Sequence, residues 1–238
     1  DFIQSPWSFP EHGTFPSGMD GEQMHSMLGL LYQRTLGEIF RRHGRRTYSQ
    51  VRSSHALASP LPFVLYSDLY DHRDFVRGIL NSGFCGLLWS PEVRHAESVD
   101  DLVRRLQTVV MSPQAQVNAW YIKNPPWFQI DREKNNRGEP MEGADQVETL
   151  CRSVLELRMQ LLPYLYSTFA RYWREGVPPF RALPLDFPAD ENCHGIDDQY
   201  MAGDDLLVAP MFAGQRGRDV YLPEGDWYCF FTHRRYEG

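Results

Sequence analysis

Up to about residue 175 the chain alternates short apolar runs of strand length with amphipathic stretches of helical period, and no other feature limits its fold as much. Residues 1–20 are rich in Pro, Gly and Ser and read as a loop. Asp20, ahead of Met24, Leu28, Leu31, Leu36, Ile39 and Phe40, predicts a helix over 21–43, with Gln23 as its capping-box partner and Gly44 as its end. Strand-like runs follow at Thr47–Ser53, Pro62–Ser67, 84–89 and 116–122. Between them, Phe75, Val76, Ile79 and Leu80 mark a helix stopping near Gly83, and Ser98 with Asp101 caps a helix carrying Leu102, Leu106 and Val109. A long helix over 146–174 should bend near Pro163. Such alternation predicts parallel strands joined by right-handed crossovers, and four of them make half of an eight-stranded α/β barrel. About eight residues separate the first two strands, short for a parallel crossover, so either the strands are shorter than these runs or that connection is irregular.

Beyond Gly176 the texture changes to strand-like pieces (Leu206–Met211, Arg218–Leu222, Trp227–Phe231) between Gly, Pro and Asp turns, as in an antiparallel β module. The expected organisation is therefore residues 1–175 as the C-terminal half of a (β/α)8 TIM barrel and 176–238 as the start of an antiparallel β-sandwich. The 24 Lys and Arg against 31 Asp and Glu give a net charge of −7, which argues against a nucleic-acid partner. No run of 18 apolar residues is present to span a membrane, and the four cysteines share no metal-binding spacing. Free buried thiols are the expectation for them, with one disulfide left open. The chain opens on Asp1-Phe2-Ile3-Gln4, which reads as the interior of a longer polypeptide.

In an α/β barrel the chemistry sits at the C-terminal ends of the strands. The residues there are Arg52, Ser53 and His55; Tyr66, Ser67 and Asp68; Trp89, Ser90, Glu92 and Arg94; and Asn118, Trp120, Lys123 and Trp127. Carboxylates beside flat aromatic rings suit a glycoside site, where an acid protonates the leaving oxygen and rings stack on the sugar.

Four segments then point to a family. Leu161–Tyr166 (LLPYLY), Gly176–Asp190 (GVPPFRALPLDFPAD), Met201–Pro210 (MAGDDLLVAP) and Val220–Trp227 (VYLPEGDW) resemble, in order, segments of glycoside hydrolase family 31. The resemblance implies a retaining α-glycosidase, needing no metal or organic cofactor, that acts on an oligosaccharide or α-glycoside. The family places its acid/base aspartate in a W-[ST]-G-D segment, sixteen residues after the arginine of an R-S pair. Arg52-Ser53 and Tyr66-Ser67-Asp68 repeat that spacing (68 − 52 = 16), so Asp68 takes the acid/base role and Arg52 a sugar-binding role. The competing reading of Asp68 is a helix N-cap, for which Asp71 is better placed.

The family's nucleophile belongs to a K-x-D segment, and none occurs here. The resemblance places it upstream, making the N-terminal half of the same enzyme a partner and this chain alone inactive. Where the family carries D-I-G-G-F, the chain has Trp89-Ser90-Pro91-Glu92-Val93, and where many members have R-N-H it has Gln116-Val117-Asn118. Trp89, Glu92, Asn118, Trp120 and Trp127 are thus expected to bind substrate, with a sugar hydroxyl pattern different from a plain α-glucoside. His25 matches an H-N-x-Y-G segment and is expected to be structural. The alternative is a non-catalytic carbohydrate-binding or scaffold relative of the same fold.

Overall fold

The computed structural model describes residues 9–47, 49–118 and 143–238, together with 133, 137 and 139. Helix α1 (Gly21–Arg42) opens on the expected capping box: the Gln23 N–H donates to Asp20 Oδ1 at 2.8 Å and the Asp20 N–H to Gln23 Oε1 at 3.3 Å. Strands β1 (Ser49–Val51), β2 (Phe63–Leu65) and β3 (Leu88–Trp89) form a parallel sheet in that order, with Val51 opposite Leu65 and Leu65 opposite Trp89. Strand β4 (Glu92–Val93) pairs in parallel with β5 (Gln116–Val117).

Only Ser90 and Pro91 separate β3 from β4, so one extended segment meets β2 along its first part and β5 along its second. Ser90 serves both sides. Its N–H donates to Leu65 O at 3.1 Å, and its Oγ accepts from the Gln114 N–H at 2.8 Å. Pro91, lacking an N–H, suits the place where the ladder changes partner. The connection from β1 to β2 carries only a single 3-10 turn, Ala56–Ala58, capped by His55 Nδ1 accepting from the Leu57 N–H at 3.1 Å. Both strands are shorter than the runs that announced them, and the link between them is irregular, so both ways out of the short spacing hold.

Helix α2 (His72–Phe84) starts at Asp71, whose carboxylate accepts from the N–H groups of Arg73 and Asp74. It ends at Phe84, next to the Gly83 at which the stop was expected. A Cβ on Gly83 would lie 2.7 Å from Phe180 O, so this glycine lets the helix approach the β module. The apolar run 84–89 is therefore a helix end, a left-handed turn at Gly86 and a strand, not one strand. Helix α3 (Val99–Val110) has Ser98 as N-cap, and Arg158 from α4 (Ala144–Gln160) reaches its last carbonyl, Val110 O, at 2.7 Å and Ser112 O in the following turn at 2.6 Å. The expected long helix is two: α5 (Leu162–Glu175) begins after Leu161, with Pro163 in its first turn.

In the C-terminal module β6 (Phe180–Ala182), β7 (Tyr200–Ala202) and β8 (Leu206–Val208) pair antiparallel, as do β9 (Asp226–Tyr228) and β10 (Arg235–Glu237). A short helix α6 (Leu183–Asp186) follows β6. Arg181, 4% exposed, donates to Asp186, Asp204 and Pro178 O, which ties the loops of this sheet together. Arg218–Leu222 does not form a strand. The buried amide of Gln199 stands in for a ladder, donating to Tyr221 O at 2.6 Å and accepting from the Tyr221 N–H at 3.1 Å. The core joins both parts of the chain: Phe75, Val76 and Ile79 of α2, Leu102 and Leu106 of α3, and Trp89 and Val93 pack in one cluster with Phe180 and Tyr200. Among the described residues no helix is long and apolar enough to cross a membrane.

Candidate active site

The C-terminal ends of β1, β2 and β5, together with the start of β4 just past the end of β3, bring Arg52, Asp68, Glu92 and Asn118 into one hydrogen-bonded group. Parallel pairing puts these ends at the same level, so residues far apart in sequence meet there. Arg52 follows β1 directly, and its Nη1 lies 2.9 Å from Asp68 Oδ2 on the loop after β2. Asp68 Oδ1 accepts from the Tyr70 hydroxyl at 2.7 Å. Glu92, only 7% exposed, accepts on Oε1 from the Tyr66 hydroxyl at 2.6 Å and from Asn118 Nδ2 at 2.9 Å. Tyr66 connects the two halves of the group: its hydroxyl is also 3.2 Å from Asp68 Oδ1, and the Arg52 guanidinium lies over its ring at 4.7 Å. The Arg94 guanidinium covers the Tyr70 ring at 4.2 Å.

The electrostatics follow from these contacts. Arg52 first, then Tyr70, stabilise the charged form of Asp68 and hold its carboxyl down at about 2. The Arg52 guanidinium is raised in return, chiefly by its hydrogen bond to Asp68. Burial, then the bond to Glu92, pushes the Tyr66 phenol far above its ordinary range, so Tyr66 keeps its proton. Burial also raises Tyr70.

A folded value of about 2 against an ordinary 3.8 makes Asp68 stabilising above pH ~4, with that contribution lost as pH falls through ~2. In Arg52→Gln the Asp68 carboxyl is expected to rise toward its ordinary range, with the Tyr70 hydroxyl still favouring the charged form. Carbon NMR of the labelled side-chain carboxyl reads this directly, and an unmoved midpoint would rule out the guanidinium as the main cause. The Asp68 side chain is 45% exposed, so the accompanying change in stability should be small.

The other expected residues divide. Trp89 is 3% exposed, its indole N–H donates to Ser67 Oγ at 2.8 Å, and a Cβ on Gly78 would sit 2.6 Å from its ring. Packed between α2 and the Asp68 loop, it positions that loop and offers no open face for a sugar. Trp120 and Trp127 lie outside the described residues. Asp68 is not a helix cap, since Asp71 fills that place. Sequence reasoning gave no role to Tyr70, for which the only signal was a tyrosine two residues past the acid. It also counted Tyr66 merely as a strand-end residue. A cavity of about 530 Å³ lies away from this group, between α3, α4 and β8 and lined by Met111, Leu157, Leu161 and Phe231. Its apolar walls carry none of the carboxylates of the strand-end group.

Known proteins match both parts of the chain. The model of the glycosyl hydrolases family 31 TIM-barrel domain matches residues 4–168, and that of the glycosyl hydrolase family 31 C-terminal domain matches 176–238. An isomaltosyltransferase of Sporosarcina globispora is 47% identical over 75 residues, 31% of this chain and 7% of that protein. An alpha-xylosidase of Emericella nidulans is 27% identical over 243 residues, 94% of this chain and 29% of that protein. The structure of a dextranase from Flavobacterium johnsoniae superposes with a TM-score of 0.78 at 25% identity, covering 94% of this chain and 29% of that one. The chain thus spans less than a third of the length of these relatives. Parallel strands ending in a carboxylate cluster, an antiparallel module packed on their helices, and two consecutive domain matches covering most of the sequence agree: the chain belongs to glycosyl hydrolase family 31.

Proposed function

We propose that this chain is part of a retaining α-glycosidase in which Asp68 is the general acid/base and Arg52, Glu92 and Asn118 bind the sugar held at the strand ends. The observation that carries the reading is the 2.9 Å contact between Arg52 and Asp68, which joins the two residues that the R-S and S-D spacing had paired, beside a buried glutamate already oriented by two donors. Trp120 and Trp127 belong to the same expectation as flanking sugar contacts. The domain division proposed is 1–175 for the barrel half and 176–238 for the β module.

A retaining mechanism needs two carboxylates in distinct roles. Asp68, protonated, gives its proton to the glycosidic oxygen while a nucleophilic aspartate attacks the anomeric carbon. Asp68, then ionised, takes a proton from the water that releases the glycosyl-enzyme. The K-x-D segment that would carry the nucleophile is not among these 238 residues, so it is assigned to the N-terminal half of the barrel, and the chain alone should not turn over. The donors on Asp68 favour its base form. Its acid form depends on negative charge close by, which an ionised nucleophile supplies before the covalent step.

The test uses the full-length enzyme against aryl α-glucosides, α-xylosides and α-galactosides, with proton NMR of the first-formed sugar. The α-anomer is expected, with turnover abolished by truncation to residues 1–238. A β-anomer as first product would exclude the retaining mechanism. Absence of turnover on every glycoside, with sugar binding retained, would favour the non-catalytic alternative.

A further inference from the structure

Tyr66 carries one proton and faces two carboxylates. Its oxygen is 2.6 Å from Glu92 Oε1 and 3.2 Å from Asp68 Oδ1. The shorter contact takes the proton, because a charge-assisted O–H···O⁻ bond lies at about 2.5–2.7 Å. That leaves a lone pair of the Tyr66 oxygen directed to Asp68. When Asp68 is ionised, two oxygens then oppose each other with no proton between them. When Asp68 is protonated on Oδ1, its O–H donates to Tyr66, which still donates to Glu92, and the chain ends on a buried negative charge. For the Tyr66 oxygen the second state is the better satisfied one, against the pull of Arg52 and Tyr70 toward the ionised form.

We infer that Tyr66 is a positioning residue that lets Asp68 hold the proton it must donate, by relaying the Asp68 O–H to the Glu92 carboxylate. The inference rests on the acid/base reading of Asp68 and deepens it. The other groups facing Asp68 act in the opposite sense or at a distance. Arg52 and the Tyr70 hydroxyl favour the ionised form, while Arg94 lies over the Tyr70 ring with His95 6.4 Å from that ring. Among the described residues, Tyr66–Glu92 is thus the contact that favours protonation of Asp68. It also couples sugar recognition to the acid, since a hydroxyl bound at Glu92 competes for the same oxygen.

The experiment compares Tyr66→Phe, Glu92→Gln and the double variant with the wild-type full-length enzyme. Two readouts are taken: the alkaline limb of the kcat/KM–pH profile, and the rate ratio between a disaccharide and a glycosyl fluoride. Loss of the relay is expected to move the alkaline limb down by about one unit and to cost the disaccharide about tenfold more than the fluoride. The double variant should show no further shift, because both changes cut one chain. Glu92→Gln keeps the question open to measurement if Tyr66→Phe fails to fold. An unmoved limb, or one that rises because Tyr66 in fact donates to Asp68, overturns the inference. So does an equal loss on both substrates, which is what a purely structural role gives. Asp68→Ala in the same series separates the two levels. If its losses ignore the leaving group, the acid reading itself has failed; if they follow it and those of Tyr66→Phe do not, only the relay has.

Discussion

Asp68→Ala in the full-length enzyme should lose between about 10² and 10⁴ in kcat/KM on substrates with poor leaving groups, the range a positioned general acid supplies. The loss should shrink on glycosyl fluorides and dinitrophenyl glycosides, whose leaving groups need little protonation. In the proposed retaining mechanism the covalent step still runs with those substrates, and release of the sugar becomes slow because water has no base. Azide is an anion and needs none. Added azide should therefore restore turnover of the alanine variant and yield an α-glycosyl azide, identifiable by NMR and mass spectrometry. Folding is not a serious concern at this position: the Asp68 side chain is 45% exposed and its main partner, Arg52, is itself solvent-accessible. A variant that kept full activity on an unactivated disaccharide would remove Asp68 from the mechanism.

The second large effect is on stability. Gly203, in the turn between β7 and β8, has φ +67°, and a Cβ there would lie 2.2 Å from the Tyr164 hydroxyl and 2.5 Å from Thr168 Cγ2. The Tyr164 hydroxyl donates to Ala202 O at 2.8 Å and accepts from the Asp205 N–H at 3.0 Å, so it clasps both sides of the turn. Gly203→Ala adds left-handed strain of about 1–2 kcal/mol and drives Tyr164 away from its two partners, each worth about 1 kcal/mol. Steric displacement of α5 adds to this, for a total of about 3–5 kcal/mol. Urea denaturation of the full-length protein, with the far-ultraviolet signal followed, is the measurement. Tyr164→Phe keeps the ring and loses the hydroxyl, and should cost only about 1–2 kcal/mol. A midpoint for Gly203→Ala equal to that of the wild type would show that the turn can adopt another conformation.

These two residues also show what the matching segments are for. LLPYLY and MAGDD are far apart in sequence, yet Tyr164 of the first is bonded to the turn of the second. The resemblance to a family was legible because such contacts restrict residue identity at both ends. Helix starts were equally legible: Asp20, Asp71 and Ser98 cap helices through atoms two or three residues away, and local bonds of this kind are written in local sequence. Helix ends were legible too, though not the packing around them. Gly83 marks the end of α2 to within one residue, but its second role, the close approach of Phe180 O from the β module, is announced by nothing near it in the chain. Arg218–Leu222 has the composition of a strand, yet its backbone is satisfied by the side chain of Gln199, which no pattern of alternation encodes.

The same division runs through the site. Sequence by itself determined the alternation of strands and helices and the change of texture after Gly176, and by resemblance to the family it paired Arg52 with Asp68, because periodicity and motif spacing are properties of the chain as a line. Only the tertiary structure decided that Trp89 is core rather than platform, and that Tyr66 stands between Asp68 and Glu92. It alone placed Tyr70 as the second donor to Asp68. Burial and proton sharing depend on which strand ends lie side by side, and parallel pairing sets that in space among residues that are not neighbours in sequence.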